Sequence, residues 1–249
     1  MTEAKVPALD EYWQVLESRL PNFSREEQHA AIALYRALAT GHPVDAERFG
    51  RALGISATSG HALLQRDSIK PLVYLDDRGS ILGFGGLAAT AMHHRFEVGD
   101  CTLSTWCAWD SLFLPEILDR PARVTSADPE SGEVVRLVVT PERIESVEPG
   151  ETVVSFVLPD VGIFDVSAAN VMAKFCHFVF FFASRSSGER WTASRPGTFL
   201  YSLDDAFALA RRLNARNFGP ELERLAQGRS TASPSGPTRH LQNPLNTRA

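Results

Sequence analysis

Two segments carry two of the chain's three cysteines, and each sets its thiol among residues that could do chemistry. In Thr105-Trp106-Cys107-Ala108-Trp109-Asp110 a carboxylate follows a thiol by three residues. In Ala173-Lys174-Phe175-Cys176-His177-Phe178 a thiol stands at the head of an aromatic run that continues through Phe182. Thiolates are soft nucleophiles and soft ligands. Two of them with a carboxyl group to carry a proton suit a thiophilic electrophile.

Local pattern sharpens this reading. A helix capped by Ser104 or Thr105 and running toward Leu114 places Cys107 in its first turn, where unpaired N–H groups and the helix dipole favour thiolate. Asp110 then lies one turn on, on the same helix face. A cysteine between Trp106 and Ala108 is also compatible with a small buried hydrophobe. A carboxylate among Trp109, Leu112, Phe113 and Leu114 needs a partner or a role to sit in such company. Strand alternation puts Cys176 on one face with Phe178, Phe180 and Phe182, an apolar wall that with Trp106 could bury an organic group. The same pattern describes a core cysteine in a buried strand. His177 faces the other way, and Cys101, at the Gly99-Asp100 turn, has no partner.

A structural zinc site is disfavoured, since the chain has neither a C-x-x-C nor a paired-histidine motif. A cysteine hydrolase pairing Cys107 with His177 or another histidine would need an imidazole within hydrogen-bond reach of Cys107 and would leave Cys176 unexplained. Two thiolates from distant segments instead fit a soft metal ion satisfied by two sulfurs, of which mercury is the extreme case.

The elements that must position these residues fall into two textures. Tyr12 to Leu20 and Ile32 to Leu38 recur near helical spacing, and Ser24 with Glu27 forms a capping-box pattern. A helix from Asp45 to Leu53, a turn at Gly54, a helix through Leu64 and a hairpin over 72–84 complete a winged-helix outline. The candidate recognition helix, Ala57 to Arg66, holds one arginine and one histidine, too little for phosphate neutralisation. From Leu87 short strands dominate, at 95–98, 123–125, 133–139, 152–158 and 175–182, with a helix over Asp204 to Asn217. The expectation is an α+β fold: a winged-helix-like helical part, 1–86, on a mixed, mostly antiparallel β core with flanking helices, 87–227. A polar tail poor in apolar residues, 228–249, is expected to be disordered.

Across 249 residues, 44% are hydrophobic and 22% charged, as in a folded domain with a sizeable core. A net charge of −5 lacks the basic footprint of a nucleic-acid binder. No secretory h-region and no membrane-length apolar run is present, and three scattered cysteines do not make a disulfide framework, so a reducing cytoplasm is the expected location.

Trp106-Cys107-Ala108-Trp109-Asp110-Ser111-Leu112-Phe113-Leu114-Pro115 resembles the W-C-A-x-D-x-L-x-x-P block of the alkylmercury (organomercurial) lyases of bacterial mercury resistance, and 175–184 resembles that family's second-cysteine strand. The order and separation of the two segments also agree, and weaker similarity runs from Pro43 to Asn217. The chain departs from the pattern at His177 and Ser104, where some members carry cysteine and tyrosine. The resemblance implies that Cys107 and Cys176 bind mercury, that Asp110 also lies at the metal and relays a proton, and that the carbon–mercury bond is broken by protonolysis to R–H and Hg(II). It further implies no required cofactor, release of the bound Hg(II) to small thiols, and a mercuric reductase as acceptor. The competing expectations are a metal-sensing winged-helix regulator and a protein that sequesters mercury without turnover.

Overall fold

The computed structural model describes residues 6–231. Four helices open the chain: α1 (Leu9–Glu17), α2 (Arg25–Leu38), α3 (Ala46–Leu53) and α4 (Ala57–Leu64). The Ser24–Glu27 capping box forms as expected: Ser24 Oγ accepts from Glu27 N and Glu27 Oε2 accepts from Ser24 N at 2.7 Å. Asp45 and Ser56 cap α3 and α4 in the same way.

The chain then enters an eight-stranded antiparallel sheet of β1 (Val73–Leu75), β2 (Ile81–Phe84), β3 (Leu87–Ala88), β4 (His94–Val98), β5 (Cys101–Thr105), β6 (Ala122–Ala127), β7 (Val134–Val139) and β8 (Ile144–Glu148). Their spatial order is β1-β2-β3-β5-β4-β6-β7-β8. The hairpin expected over 72–84 forms as β1–β2 at one edge of this large sheet. Helix α5 (Asp110–Leu118) interrupts the strands after β5. A second, three-stranded sheet has β9 (Val153–Val157) between β10 (Phe181–Phe182) and β11 (Thr198–Ser202). Between β9 and β11 lie α6 (Ala168–Lys174) and α7 (Arg185–Ala193).

The last helix, α8 (Leu203–Thr231), is longer than the expected 204–217. Its first half buries Ala206, Leu209, Ala210 and Leu213. The expected disordered tail thus begins, at 228–231, as the end of α8, and 232–249 lie outside the described residues. One continuous hydrophobic core runs from Tyr12 and Leu34 through Phe84, Leu114 and Val124 to Leu209 and Phe218. Tyr12, fully buried, is its knot: its ring meets Phe156, Phe199 and Tyr201 edge-on at 5.3–5.7 Å, tying α1 to the smaller sheet.

Two local expectations are corrected. Ser104 and Thr105 do not cap a helix; they end β5, paired with Arg95 and His94 of β4 and with Ala88 and Leu87 of β3. Pairing on both sides satisfies the backbone there and defers the helix to Asp110. Nor is 175–182 a continuous strand. Residues Cys176–Phe178 form a 3-10 turn after α6, and only Phe181 and Phe182 pair with β9. Burial of Phe175, Cys176 and Val179, with His177 exposed, follows a helical spacing rather than alternation.

Candidate active site

Residues 106–109 bridge β5 and α5, and this connection carries Cys107. Thr105 Oγ1 donates to Cys107 O at 2.8 Å, and Cys107 N donates to Asp110 Oδ2 at 2.7 Å. The carboxylate of the first helical residue thus folds back over the connection and takes up an N–H that the strand no longer uses. Ala108 N donates to Val179 O at 3.1 Å, which fastens this connection to the segment just after Cys176. That second segment is held by β9: Ser155 Oγ donates to Phe178 O at 2.8 Å and accepts from Phe180 N at 3.0 Å.

These two attachments bring together all three residues singled out in the sequence. A sulfur from Cys107, a carboxylate oxygen from Asp110 and a sulfur from Cys176 lie within 4.8 Å of one another, all buried. The expected sequence-adjacent approach of thiol and carboxylate holds, but through a strand–helix connection rather than one helix face. Cys101 is not part of the cluster; its Sγ packs near Gly41. His177 is exposed while Cys107 is fully buried, which speaks against His177 as a base for that thiol.

Burial sets the protonation states. It pushes the Cys107 thiol well up, with the Cys176 thiol and the Asp110 charge adding to the shift, and it raises Cys176. The expectation of a helix-stabilised thiolate at Cys107 is therefore corrected: the dipole's N-terminus lies beyond it and the surroundings are apolar. Burial likewise lifts Asp110 to about 7, against the opposing hydrogen bonds from Cys107. The resting cluster near neutral pH holds two thiols and one carboxyl group poised to gain or lose a proton.

A mainly apolar cavity opens onto Asp110 and Cys176, but not onto Cys107. Trp106, Trp109, Phe113 and Phe175 wall it from the two cysteine-bearing segments and α5. The N-terminal part supplies Leu20, Phe23 and Tyr35, and α8 supplies Leu213, Asn217 and Phe218. Phe23 stacks on Phe218 at 5.7 Å, and Tyr35 meets Phe218 edge-on at 6.2 Å. The expected aromatic wall of Phe178, Phe180 and Phe182 is elsewhere: these rings pack with Trp191, Val153 and Leu200 in a separate cluster, because the 3-10 turn redirects them. The residues that sequence reasoning missed are those brought from other elements; Tyr35 and Phe218 carry no local signal beyond helical periodicity.

The turn between β2 and β3 lines the cavity and lies against Asp110. Its two turn residues, Gly85 and Gly86, have positive φ of 45° and 102°. A Cβ on Gly86 would stand 2.6 Å from Asp110 Cγ, and Tyr35 OH donates to Gly85 O at 2.8 Å. The glycines let the backbone pass directly against the carboxylate.

The family model for alkylmercury lyase matches residues 87–215, more than half of the chain. The chain belongs to the alkylmercury lyase family. Members are enzymes named for cleaving the carbon–mercury bond. An alkylmercury lyase of Staphylococcus epidermidis is 37% identical over 183 residues, 74% of this chain and 80% of the relative. One from Pseudomonas putida is 35% identical over 200 residues, 80% and 90% of the two chains. A third, from Streptomyces lividans, is 38% identical over 180 residues, 72% and 79%. In three dimensions the chain is similar to a crystal structure described as the mercury-bound form of MerB2, with a TM-score of 0.65 at 19% identity, covering 82% of this chain and 96% of that one. That likeness shows a shared α+β fold. No helix among the described residues is long and apolar enough to cross a membrane.

Proposed function

We propose that this chain is an organomercurial lyase that breaks the carbon–mercury bond of R–Hg⁺ by protonolysis, using Cys107, Cys176 and Asp110. The observation that carries the reading is the buried cluster of two sulfurs and one carboxylate oxygen within 4.8 Å, opening on an apolar cavity. Two thiols supply soft ligands for mercury, and a carboxyl group with a pKa of about 7 can take up a proton and pass it on.

Cys176, which borders the cavity, binds first: its S–Hg bond forms as its proton leaves to solvent. Cys107, from behind, then adds to mercury; its proton moves to Asp110 and from there to the departing carbon as the Hg–C bond breaks. The balance is R–Hg⁺ plus two thiols giving R–H, Hg(II) held by two thiolates and one released proton. Protonating the carbon as the bond breaks avoids a free carbanion. The aromatic walls take the organic group. No resident cofactor enters the scheme. Small thiols, or the cysteines of a mercuric reductase, would then remove Hg(II), and the reducing cytoplasm that keeps the thiols free is its expected place.

The regulator alternative is weak on its own terms. Helix α4 carries no arginine or lysine, and Arg66 just beyond it is paired with Glu26 at 2.5 Å. Headspace gas chromatography of methane released from methylmercury, with excess small thiol, tests the proposal. Multiple turnovers that vanish in Cys107→Ser are expected. Stoichiometric mercury uptake without methane would leave a sequestering protein in place of a lyase.

A further inference from the structure

The cavity wall contains an amide side chain that the scheme above does not use. Asn217, on α8, is 6% exposed and lines the cavity that Asp110 and Cys176 also border. Its amide orientation is fixed chemically: Arg216 Nη1 donates to Asn217 Oδ1 at 2.6 Å, and a guanidinium can only donate. The –NH2 end is therefore the free one, and Asn217 makes no other hydrogen bond among the described residues. The arrangement is anchored. Arg216 also donates to Pro21 O at 2.9 Å and to Asn22 Oδ1 at 2.8 Å, so it clamps the α1–α2 connection that forms the adjoining wall.

The other polar groups of the cavity wall are bonded or packed away. Tyr35 OH is bound to Gly85 O and Trp109 Nε1 to Ala206 O, while the unpaired Trp106 Nε1 is packed against Gly83 of β2. The Asn217 amide donor retains access to open space, so in an otherwise aromatic and aliphatic cavity it is the group free to meet an acceptor. A charge-assisted bond to its oxygen polarises the amide and makes its N–H groups better donors.

We propose that Asn217 is a specificity-determining residue whose Nδ2 donates to an oxygen acceptor on the organic group, so that the site favours organomercurials whose carbon chain bears an ether, hydroxyl or carboxylate oxygen. This rests on the lyase reading. It assigns the cavity a polar pole, whereas a purely apolar cavity would prefer the hydrocarbon chain of the same length.

The test compares two isosteric substrates, 3-methoxypropylmercury and n-pentylmercury, through the volatile products methoxypropane and pentane. The quantity read is the ratio of their kcat/KM values, in which any general loss of activity cancels. Asn217→Leu removes the donor. Asn217→Asp also removes it but keeps an acceptor for Arg216, so the local packing is retained if the leucine variant fails to fold. The ether-to-alkyl ratio is expected to fall about three- to tenfold in each variant, the range of one neutral hydrogen bond. An unchanged ratio overturns the inference. So does a wild-type enzyme that releases methane from methylmercury but cleaves neither longer substrate. No methane from methylmercury would instead remove the lyase reading on which the inference stands.

Discussion

Asp110 sits at the first position of a helix with an apolar surround, and its carboxyl group is lifted from 3.8 to about 7 by burial. In the proposed scheme the free enzyme needs this group ionised, because it must accept the Cys107 proton. The kcat/KM profile should therefore rise with pH along an acid limb near 7 and flatten above it. A profile that falls through the same pH would mean that Asp110 starts protonated and would sink this step. Linkage gives an independent check. The folded state binds more protons than the unfolded chain between about 4 and 7, so stability contributed by Asp110 decreases as pH rises through that window. Asp110→Asn should remove that slope, keep Hg(II) binding and slow cleavage about 10²- to 10⁴-fold. The thiols divide by position: Cys107→Ser should leave Cys176 able to capture the organomercurial, with the organic group still attached by mass spectrometry. Cys176→Ser should capture it far more slowly through the enclosed Cys107, and equal capture by both variants would discard the proposed order. These three residues were legible in the sequence because thiols are few and a carboxylate amid aromatics is chemically odd. Their protonation was not, because it depends on where β5 stops.

At the scale of elements, the site is the meeting of a strand–helix connection, a 3-10 turn and a glycine hairpin. The first two were misread for one reason: an apolar run has no intrinsic period when nearly every residue in it is aromatic or aliphatic. Phe175 to Phe182 fits alternation by composition, while the contact between Ala108 and Val179 and the pairing with β9 select a turn. The hairpin expected over 72–84 is β1–β2, whereas the tight β2–β3 turn at Gly85-Gly86 carries no such reading, and nothing local says that Gly86 must clear Asp110. A comparison of glycines isolates that contact. Gly86 and Gly132 both have positive φ, but a Cβ on Gly132 meets nothing within 4 Å. Alanine at either position should cost about 1–3 kcal/mol through backbone strain. Only Gly86→Ala, by displacing the carboxylate, should also lower kcat at temperatures where both variants are folded, by tenfold or more if a shift of about 1 Å matters as usual. Similar kcat values for the two variants would show that Asp110 tolerates displacement.

On the scale of the molecule, the change of texture near 86/87 suggests two units, and the division into 1–86 and 87–227 remains a proposal about folding. Three features argue that the parts act as one. The hairpin of the first part joins the sheet of the second through β2, where Gly83 pairs with Ala88 and Phe84 with Leu87 of β3, itself paired with β5. Tyr12 of α1 donates its hydroxyl to Val157 O at 3.0 Å in the smaller sheet. The cavity takes walls from both, so the N-terminal helices complete the cavity onto which Asp110 and Cys176 open. Denaturant unfolding followed by tryptophan fluorescence and by far-ultraviolet circular dichroism should then give one superimposable transition. Trp13 reports from the first part and Trp106, Trp109 and Trp191 from the second, so separate melting would show as two steps. Tyr12→Ala should move that single midpoint as a whole, by roughly 3–5 kcal/mol for loss of a fully buried aromatic ring. If instead the variant melts in two steps, with the cavity tryptophans unaffected in the later one, the interface across α1 is an attachment rather than part of the core, and the boundary near 86/87 is a true folding boundary.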